Sequence, residues 1–484
     1  MKHSVIIMAH KDVDSLLRLV KYFEYDCDLF IHWDKKVLLE DKDVRRLYEY
    51  PQVKKVLQEY EVFWGGTSVL ECEMFMIGFV LKSGEYDYVH LLSGQDYPTR
   101  PLKHFLAYFE KQGGKDFMQY VHLPHPNWEN NTFRRFQYYY PYDYAQGKKN
   151  PKRWVNEQVK YQYERRMKRP IPDQFDHIYG CSQWFSITTD SAKILLDYTH
   201  EHPDFYNRLW MTFAPEECYP ATVLINLRGK ENVVCDNLRY IRWKYENGNR
   251  PANLGEEHFL ELLNRECFFA RKMEKPYCDA LLSVIDKYLI KAEEEVELLE
   301  NGAWNYQGFL KYDYDASFAE FVAQLCCEIP LQNALDIGCG CGLYVAEWRR
   351  RGLPFAGYDA NPYTEELSKL LLPAGDTPCG LADIAEEELE CLSPFDLVVC
   401  KDVLPYIPER KLDVAIGNIS KLAAHEIVLC WDVLENVNNQ SCTLLDENML
   451  ISKFEQYGFV KDRATTARLK VVYESRNCCC LMKK

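Results

Sequence analysis

Asn333-Ala-Leu-Asp336-Ile-Gly338-Cys-Gly340-Cys-Gly342 is a short apolar strand that runs straight into three glycines at every second position. Glycines directly after a strand let the backbone turn sharply and approach a ligand closely. The next apolar run, Pro354-Phe-Ala-Gly-Tyr-Asp359, ends in a carboxylate 21 residues after Gly338. An acid at the end of a second strand at that distance can accept from both hydroxyls of a ribose. Strand, glycine loop, helix and acid in this order predict a doubly wound α/β domain with a nucleoside at its carboxyl edge. Leu381-Ala-Asp383 and Phe395-Asp-Leu-Val-Val-Cys-Lys-Asp402 continue the alternation of short strands and helices.

Upstream, Lys291-Ala-Glu-Glu-Glu-Val-Glu-Leu-Leu-Glu-Asn301-Gly302 reads as a solvated acidic helix stopped by glycine. It separates an aromatic-rich half from the regular alternation, so a domain at 1–284, a linker at 285–303 and a domain at 304–484 are expected. The 484 residues suit two to four domains. With 47% apolar and 27% charged residues the chain is ordinary globular material. A net charge of −15 argues against general nucleic-acid binding, which needs excess cation. No apolar run approaches the ~20 residues of a membrane span. Met1 to His10 reads as a first strand rather than a signal peptide. Nineteen cysteines without a Cys-x-x-Cys pair predict free thiols in a reducing cytoplasm and no structural zinc. The closing strand is expected within Leu469 to Met482, with Cys478, Cys479 and Cys480 packed in it.

The first half carries four further blocks. They are Val5-Ile-Ile-Met-Ala-His10-Lys-Asp12 with Leu29-Phe-Ile-His32-Trp-Asp34-Lys-Lys36; Phe63-Trp64-Gly65-Gly66-Thr-Ser68; Tyr88-Val-His-Leu-Leu-Ser93-Gly94-Gln-Asp96-Tyr-Pro98; and Tyr179-Gly180-Cys-Ser182-Gln-Trp184-Phe185 with Ala214-Pro215-Glu216-Glu217-Cys218. In each, polar residues follow an apolar strand or open a helix, where open α/β sheets place ligands.

These blocks, with Asn237-Leu-Arg-Tyr-Ile-Arg-Trp243 and Phe268-Phe-Ala-Arg271-Lys272, resemble the core-2/I-branching β-1,6-N-acetylglucosaminyltransferase and peptide O-xylosyltransferase family. The resemblance covers about 1–280 and implies a Rossmann-like GT-A fold, a UDP-sugar donor and inversion at the anomeric carbon. UDP-N-acetylglucosamine is the first donor it suggests and UDP-xylose the second. It implies Glu217 as catalytic base. Donor contacts would come from His10, Asp34, Trp64, Asp96, Trp184, Arg250, Arg271 and Lys272, with Trp243 and Tyr245 on the acceptor. Glu216 would then be a solvent residue or a helix N-terminal charge, because adjacent side chains rarely face one ligand. Arg271 and Lys272 would neutralise the departing diphosphate without a metal, Arg239 could assist, and fixed cations in a dry pocket do so without reorganising. Asp26-Cys27-Asp28 spells a metal-binding pattern but precedes an early strand, and His122-Leu-Pro-His125 lacks a third ligand; neither is expected to bind metal.

Residues 304–484 resemble the class I S-adenosylmethionine-dependent methyltransferases, whose seven-stranded sheet is mostly parallel. That resemblance implies Asp336 with Gly338, Gly340 and Gly342 on the methionine part of S-adenosylmethionine, Asp359 on the ribose and Asp383 on the adenine edge. Asp402 and His425 are base candidates by residue type.

Between Lys148 and Pro170 stand nine basic and two acidic residues. Such a run reads as a solvated helix or as a surface for an anionic membrane or lipid-linked acceptor. Together the halves imply a cytoplasmic bacterial enzyme of glycan assembly, peripheral on the membrane at most, that adds a sugar to a glycan hydroxyl and O-methylates a glycan. The alternatives are an inactive glycan-binding first domain serving a sugar methyltransferase, or a second domain that is only structural.

Overall fold

The computed structural model describes residues 1–24, 27–126, 133–263, 265, 267–290, 314–372, 375–386, 394–431, 443–472 and 477–484. The chain divides into two compact units, Met1–Gly255 with Arg265–Ile290, and Glu256–Asn264 with Lys291–Lys484. The acidic helix expected over 291–302 lies outside the described residues.

The first unit is built on strands β1 (His3–Ala9), β2 (Cys27–Trp33), β3 (Val53–Leu57), β4 (Tyr88–Ser93), β5 (Tyr97–Pro98), β6 (Asp116–His122), β7 (Tyr179–Thr188), β8 (Val233–Val234), β9 (Arg239–Ile241) and β10 (Phe269–Arg271). Seven form one sheet in the order β3-β2-β1-β4-β7-β6-β8, and β5-β10-β9 form a small second sheet. β1 to β4 run parallel, while β7 is antiparallel to both neighbours. Alternate residues of β1 enter different cores: Val5 and Ile7 pack with Leu29, Ile31 and Leu92, and Ile6 packs with Phe30, Val89 and Leu91. A sheet covered on both faces needs continuous apolar strands, as Val5-Ile-Ile is. Asp12, with its side chain accepting from Ser15 N at 3.1 Å, starts the helix Val13–Phe23 that covers one face.

The second unit contains β11 (Ala334–Ile337), β12 (Phe355–Asp359), β13 (Gly380–Leu381), β14 (Phe395–Lys401), β15 (Ala423–Trp431), β16 (Phe459–Lys461) and β17 (Asn477–Lys483). Their order is β13-β12-β11-β14-β15-β17-β16, parallel except for β17. The order reverses between β11 and β14, so the crevice for a ligand opens at the carboxyl end of β11. Leu335, Ile337, Val398, Cys400, Ile427, Leu429, Cys479 and Leu481 share one core. The closing strand begins later than the expected Leu469. Asp462 accepts from Ala464 N (2.9 Å) and Thr465 N (3.1 Å), and this side-chain cap commits Arg463–Val472 to a helix. The described cysteines are all free thiols, and Cys478, Cys479 and Cys480 are buried in β17.

Candidate active sites

In the first unit the carboxyl ends of β1, β2 and β4 face one edge, and the quoted blocks gather there. Asp34 is buried just past β2, and its amide donates to Ala9 O at 2.8 Å. Its Oδ1 accepts from Lys36 N (3.0 Å) and Val62 N (3.3 Å), and Lys36 Nζ stands 3.0 Å from Oδ2. Past β1, the pKa of His10 is lowered by dehydration and by Lys11, against the pull of Asp34 and Glu274. Glu274 Oε2 takes Lys11 Nζ at 2.6 Å and Gln95 Nε2 at 2.5 Å.

Arg271 ends β10 and is buried there. Its guanidinium lies 3.7 Å over the Trp184 ring, and its Nε is 3.5 Å from Asp96 Oδ1. Burial pushes Asp96 up and Arg271 down, each against the attraction of the other. Asp96 Oδ1 and Arg271 Nη1 both lack a hydrogen-bond partner among the described residues, so the pair retains polar capacity. Lys272 follows; dehydration first, then Arg271 and Lys11, lower its pKa to about 8. Fixed, underused cations of this kind suit an anionic ligand. Burial lowers the pKa of Arg239, which lies close enough to act on Asp96 and to be lowered further by Arg271. Its guanidinium donates to Leu91 O (3.1 Å), Phe185 O (3.0 Å) and Ser186 Oγ (3.1 Å), so it ties β4 to β7.

The Trp-Gly-Gly turn bridges the Asp34 block and the paired glutamates. Phe63, stacked under Lys36 Nζ at 4.0 Å, begins it, and Gly65 O accepts from Ala214 N at 3.0 Å. Gly66 must lack a side chain, because a Cβ would meet Asp143 Oδ1 at 2.2 Å. That carboxylate takes Thr67 N (2.8 Å) and Ser68 N (3.3 Å), capping the helix Thr67–Ser83. Trp64 itself is exposed and packs edge-on against Tyr142 and Phe213.

Glu217 is partly exposed, with Oε2 3.3 Å from Nη1 of the buried Arg135. Glu216, expected in solvent, is instead buried; the short turn Pro215–Glu217 aims it inward. Burial, Glu217 and Glu73 together push Glu216 well above the usual carboxylate range. Glu73 is also buried, accepts from Gln183 Nε2 at 2.7 Å, and is raised to about 8, chiefly by burial. Two acids with raised pKa values and one arginine thus lie beside the more exposed Glu217. β7 links this group to the cations, since Cys181 faces Glu216 O (3.6 Å), Gln183 holds Glu73, and Trp184 carries Arg271.

Trp243 and Tyr245 are exposed on a loop braced by Arg242, which donates to both oxygens of Glu246 (3.0 and 3.1 Å). Arg250 is exposed at the end of the same loop. The loop is tied to the cations through Lys272 N to Ala252 O (3.3 Å) and Leu254 N to Lys272 O (2.8 Å).

In the second unit Asp336 is buried at the end of β11, and its Oδ2 has no hydrogen-bond partner among the described residues. Burial raises its pKa to about 7, Lys401 opposes this and Asp359 adds to it. Gly338 has φ +75°, and a Cβ there would meet Val403 Cγ2 at 2.0 Å. Asp359 accepts from Gly340 N (2.8 Å) and Asn361 N (2.8 Å), which locks the glycine loop to the end of β12. Asp383 follows β13, accepts from Ala385 N at 2.8 Å, and lies close enough to Asp359 to raise it. An orphaned buried carboxylate, a side-chain-free cradle and a second acid in series fit an adenosyl cofactor. Asp402 pairs with the buried Lys401 at 2.5 Å. His425 is exposed near the start of β15, on the sheet edge opposite the glycine loop, so it cannot act there as a base.

The family model of the Core-2/I-Branching enzymes matches residues 5–263, more than half of the chain. The chain belongs to that family. A methyltransferase-domain model matches 335–426. Xylosyltransferase 2 of Rattus norvegicus is 26% identical over 306 residues, covering 59% of this chain and 33% of its own length. The chain therefore spans about a third of the length of the xylosyltransferases it resembles. The ubiquinone biosynthesis O-methyltransferase of Alkalilimnicola ehrlichii is 29% identical over 129 residues, which are 26% of this chain and 52% of that protein. Among solved structures, the sugar N-methyltransferase KedS8 of a Streptoalloteichus species is 16% identical with a TM-score of 0.30, covering 40% of this chain and 96% of that one. The two family models thus place a Core-2/I-Branching domain before a methyltransferase domain in one chain.

Among the described residues no group of three or more His, Cys, Asp or Glu could hold a metal ion, and no helix is long and apolar enough to cross a membrane. Asp26 lies outside the described residues; Asp28 is engaged by Tyr86 Oη (2.8 Å) and Lys54 (3.2 Å). His122 pairs with His177, Nε2 to Nδ1 at 3.1 Å. Sequence reasoning missed Glu73, Gln183, Arg135, Asp143 and Glu274. Glu71 and Glu73 interrupt an otherwise apolar stretch of helix, and an acid there was the signal available.

Proposed function

We propose that the first unit transfers a sugar from a UDP donor to a glycan hydroxyl with inversion and without a metal, and that the second O-methylates a glycan hydroxyl with S-adenosylmethionine. The observation that carries the first half is the buried Arg271, stacked on Trp184 and only half neutralised by Asp96, with Lys272 beside it. Arg271 and Lys272 hold the diphosphate, Asp34 and His10 the nucleoside, and Asp96 and Trp184 the transferred sugar; Trp64 and Arg250 border the donor. Glu217 takes the proton from the acceptor hydroxyl as that oxygen bonds to the anomeric carbon. The bond from that carbon to the diphosphate breaks, and UDP leaves with the electron pair. Arg135 orients Glu217. Trp243 and Tyr245 offer ring faces to the acceptor. UDP-N-acetylglucosamine is the first donor to test and UDP-xylose the second.

In the second unit the cofactor brings a methyl group already activated on a sulfonium. Asp336 and the Gly338, Gly340 and Gly342 backbone hold its methionine end, Asp359 its ribose and Asp383 its adenine edge. The two activities are consecutive steps of bacterial glycan assembly in the cytoplasm, on a free or lipid-linked acceptor, from domains at 1–284 and 304–484 joined by 285–303.

Hydrolysis of each UDP-sugar, with and without EDTA, tests this reading. Slow hydrolysis that survives EDTA and disappears in Glu217→Gln is expected. Glycan binding with no turnover of any UDP-sugar would mean that the first unit only delivers acceptor.

A further inference from the structure

The basic run 148–170 folds as the helix Pro151–Glu164, started by Asn150, whose side chain accepts from Arg153 N at 3.0 Å. Val155 and Val159 bury themselves against Tyr138, Tyr140 and Tyr142, and Gln162 exchanges hydrogen bonds with Tyr139 N and O, both 2.9 Å. This leaves Lys152, Asn156 and Lys160 outward, where they line a shallow groove with Asn150, Arg153 and Glu157. Lys152 Nζ lies 5.6 Å over the exposed ring of Trp64.

A second row of exposed rings flanks the helix. Trp210 packs edge-on with Tyr139 (6.1 Å) and Tyr144 (6.4 Å), and the Arg169 guanidinium sits 4.2 Å over Tyr139 while donating to Trp210 O at 2.8 Å. Both rows lead to the same place. Trp64 packs on Phe213 at 5.6 Å, Gly65 O holds Ala214 N, and Glu217 comes three residues later.

We infer that this basic, aromatic strip is the acceptor surface of the first unit and that the acceptor it takes is an anionic glycan. The inference rests on the glycosyltransferase reading above. Ring faces stack on the C–H faces of sugars. Lysines and arginines pair with carboxylate, sulfate or phosphate substituents. Nine cations against two acids, on a chain of net charge −15, focus a positive field where the acceptor hydroxyl must meet Glu217. A lipid surface fits less well: these rings are braced edge-on by one another and by cations, and Glu157 and Glu164 are ion-paired on the same helix.

The full chain is tested by affinity electrophoresis through polygalacturonate, a sulfated galactan and a glycerol-phosphate polymer, beside neutral dextran and methyl-esterified polygalacturonate. Retention by at least one acidic polymer, weakened by salt, is expected. The variant Lys149→Ser/Lys160→Ser/Lys168→Ser weakens it about tenfold, from roughly 0.5 kcal/mol per exposed ion pair. Stabilisation by UDP, followed in parallel, stays unchanged. Equal retention on neutral and acidic polymers overturns the inference, as does retention that survives the triple substitution. So does binding to phosphatidylglycerol vesicles that the variant loses when no acidic polymer is retained. Absence of UDP stabilisation in the unsubstituted protein overturns the donor reading itself, a distinct failure.

Discussion

The Arg271 guanidinium is stacked 3.7 Å over the ring of Trp184, with Asp96 3.5 Å from its Nε. Removing one member of such a buried pair leaves the other charge uncompensated. Arg271→Met should therefore cost about 3–5 kcal/mol of stability. The double variant Arg271→Met/Asp96→Asn should recover most of this in a denaturant titration. Hydrolysis of the UDP-sugar should not recover, staying about 10²–10³-fold down, the usual cost of losing a preorganised charge at a leaving group. Recovery of activity together with stability would show that Arg271 only fills space.

Lys272 has its pKa lowered to about 8, with dehydration the largest cause. Its charge is present below that pH and fades above it. A bound diphosphate restores the proton, so UDP affinity should fall above pH 8 by up to about tenfold per pH unit. Calorimetry in buffers of different ionisation heat should detect the proton uptake. Lys272→Met should abolish both the uptake and the pH dependence.

Glu73 is raised to about 8 by burial, assisted by Glu217. The unfolded chain releases this proton near 4.5, so the folded protein binds it more tightly. Its stabilising effect is complete below about pH 4.5 and is lost as pH climbs to about 8. Glu73→Gln keeps the shape without the titration. Its unfolding free energy, from denaturant titrations, should gain on that of the unsubstituted protein between pH 5 and 8, at a rate approaching 1.4 kcal/mol per pH unit. Parallel curves for the two proteins would show that Glu73 is ionised in the fold.

Gly338→Ala introduces a Cβ at 2.0 Å from Val403 Cγ2 on a residue with φ +75°. Strain and overlap of this kind cost about 1–3 kcal/mol each. S-adenosylmethionine binding by calorimetry should fall below detection while UDP stabilisation of the first unit is unchanged. Normal binding in this variant would remove the glycine loop from the cofactor site.

The central strands were legible because they lie in sheets covered on both faces, which forces uninterrupted apolar runs such as Leu397 to Cys400 and Val5 to Ile7. The ligand edge was legible for a related reason. Asp34, Asp96, Asp336 and Asp359 all stand within three residues of the carboxyl end of a strand. The burial of Glu216 could not be read, because it depends on which way a three-residue turn faces and not on any periodicity. Arg239 is the mixed case: carbonyl and hydroxyl partners from distant segments take most of its donors, yet its Nε has no hydrogen-bond partner among the described residues and its charge still acts on Asp96. The closing strand starts later than Leu469 because the side-chain cap at Asp462 commits Arg463–Val472 to a helix.

β17 is inserted between β15 and β16, and β16 has β17 as its sheet neighbour. A ribosome that has reached residue 470 has thus produced a second-unit sheet with a gap in it and one strand still unattached. By then every residue of the first unit has been synthesised. Domains fold in the order in which they are made, so a nascent chain completes its first unit while the sheet of its second still waits for β17.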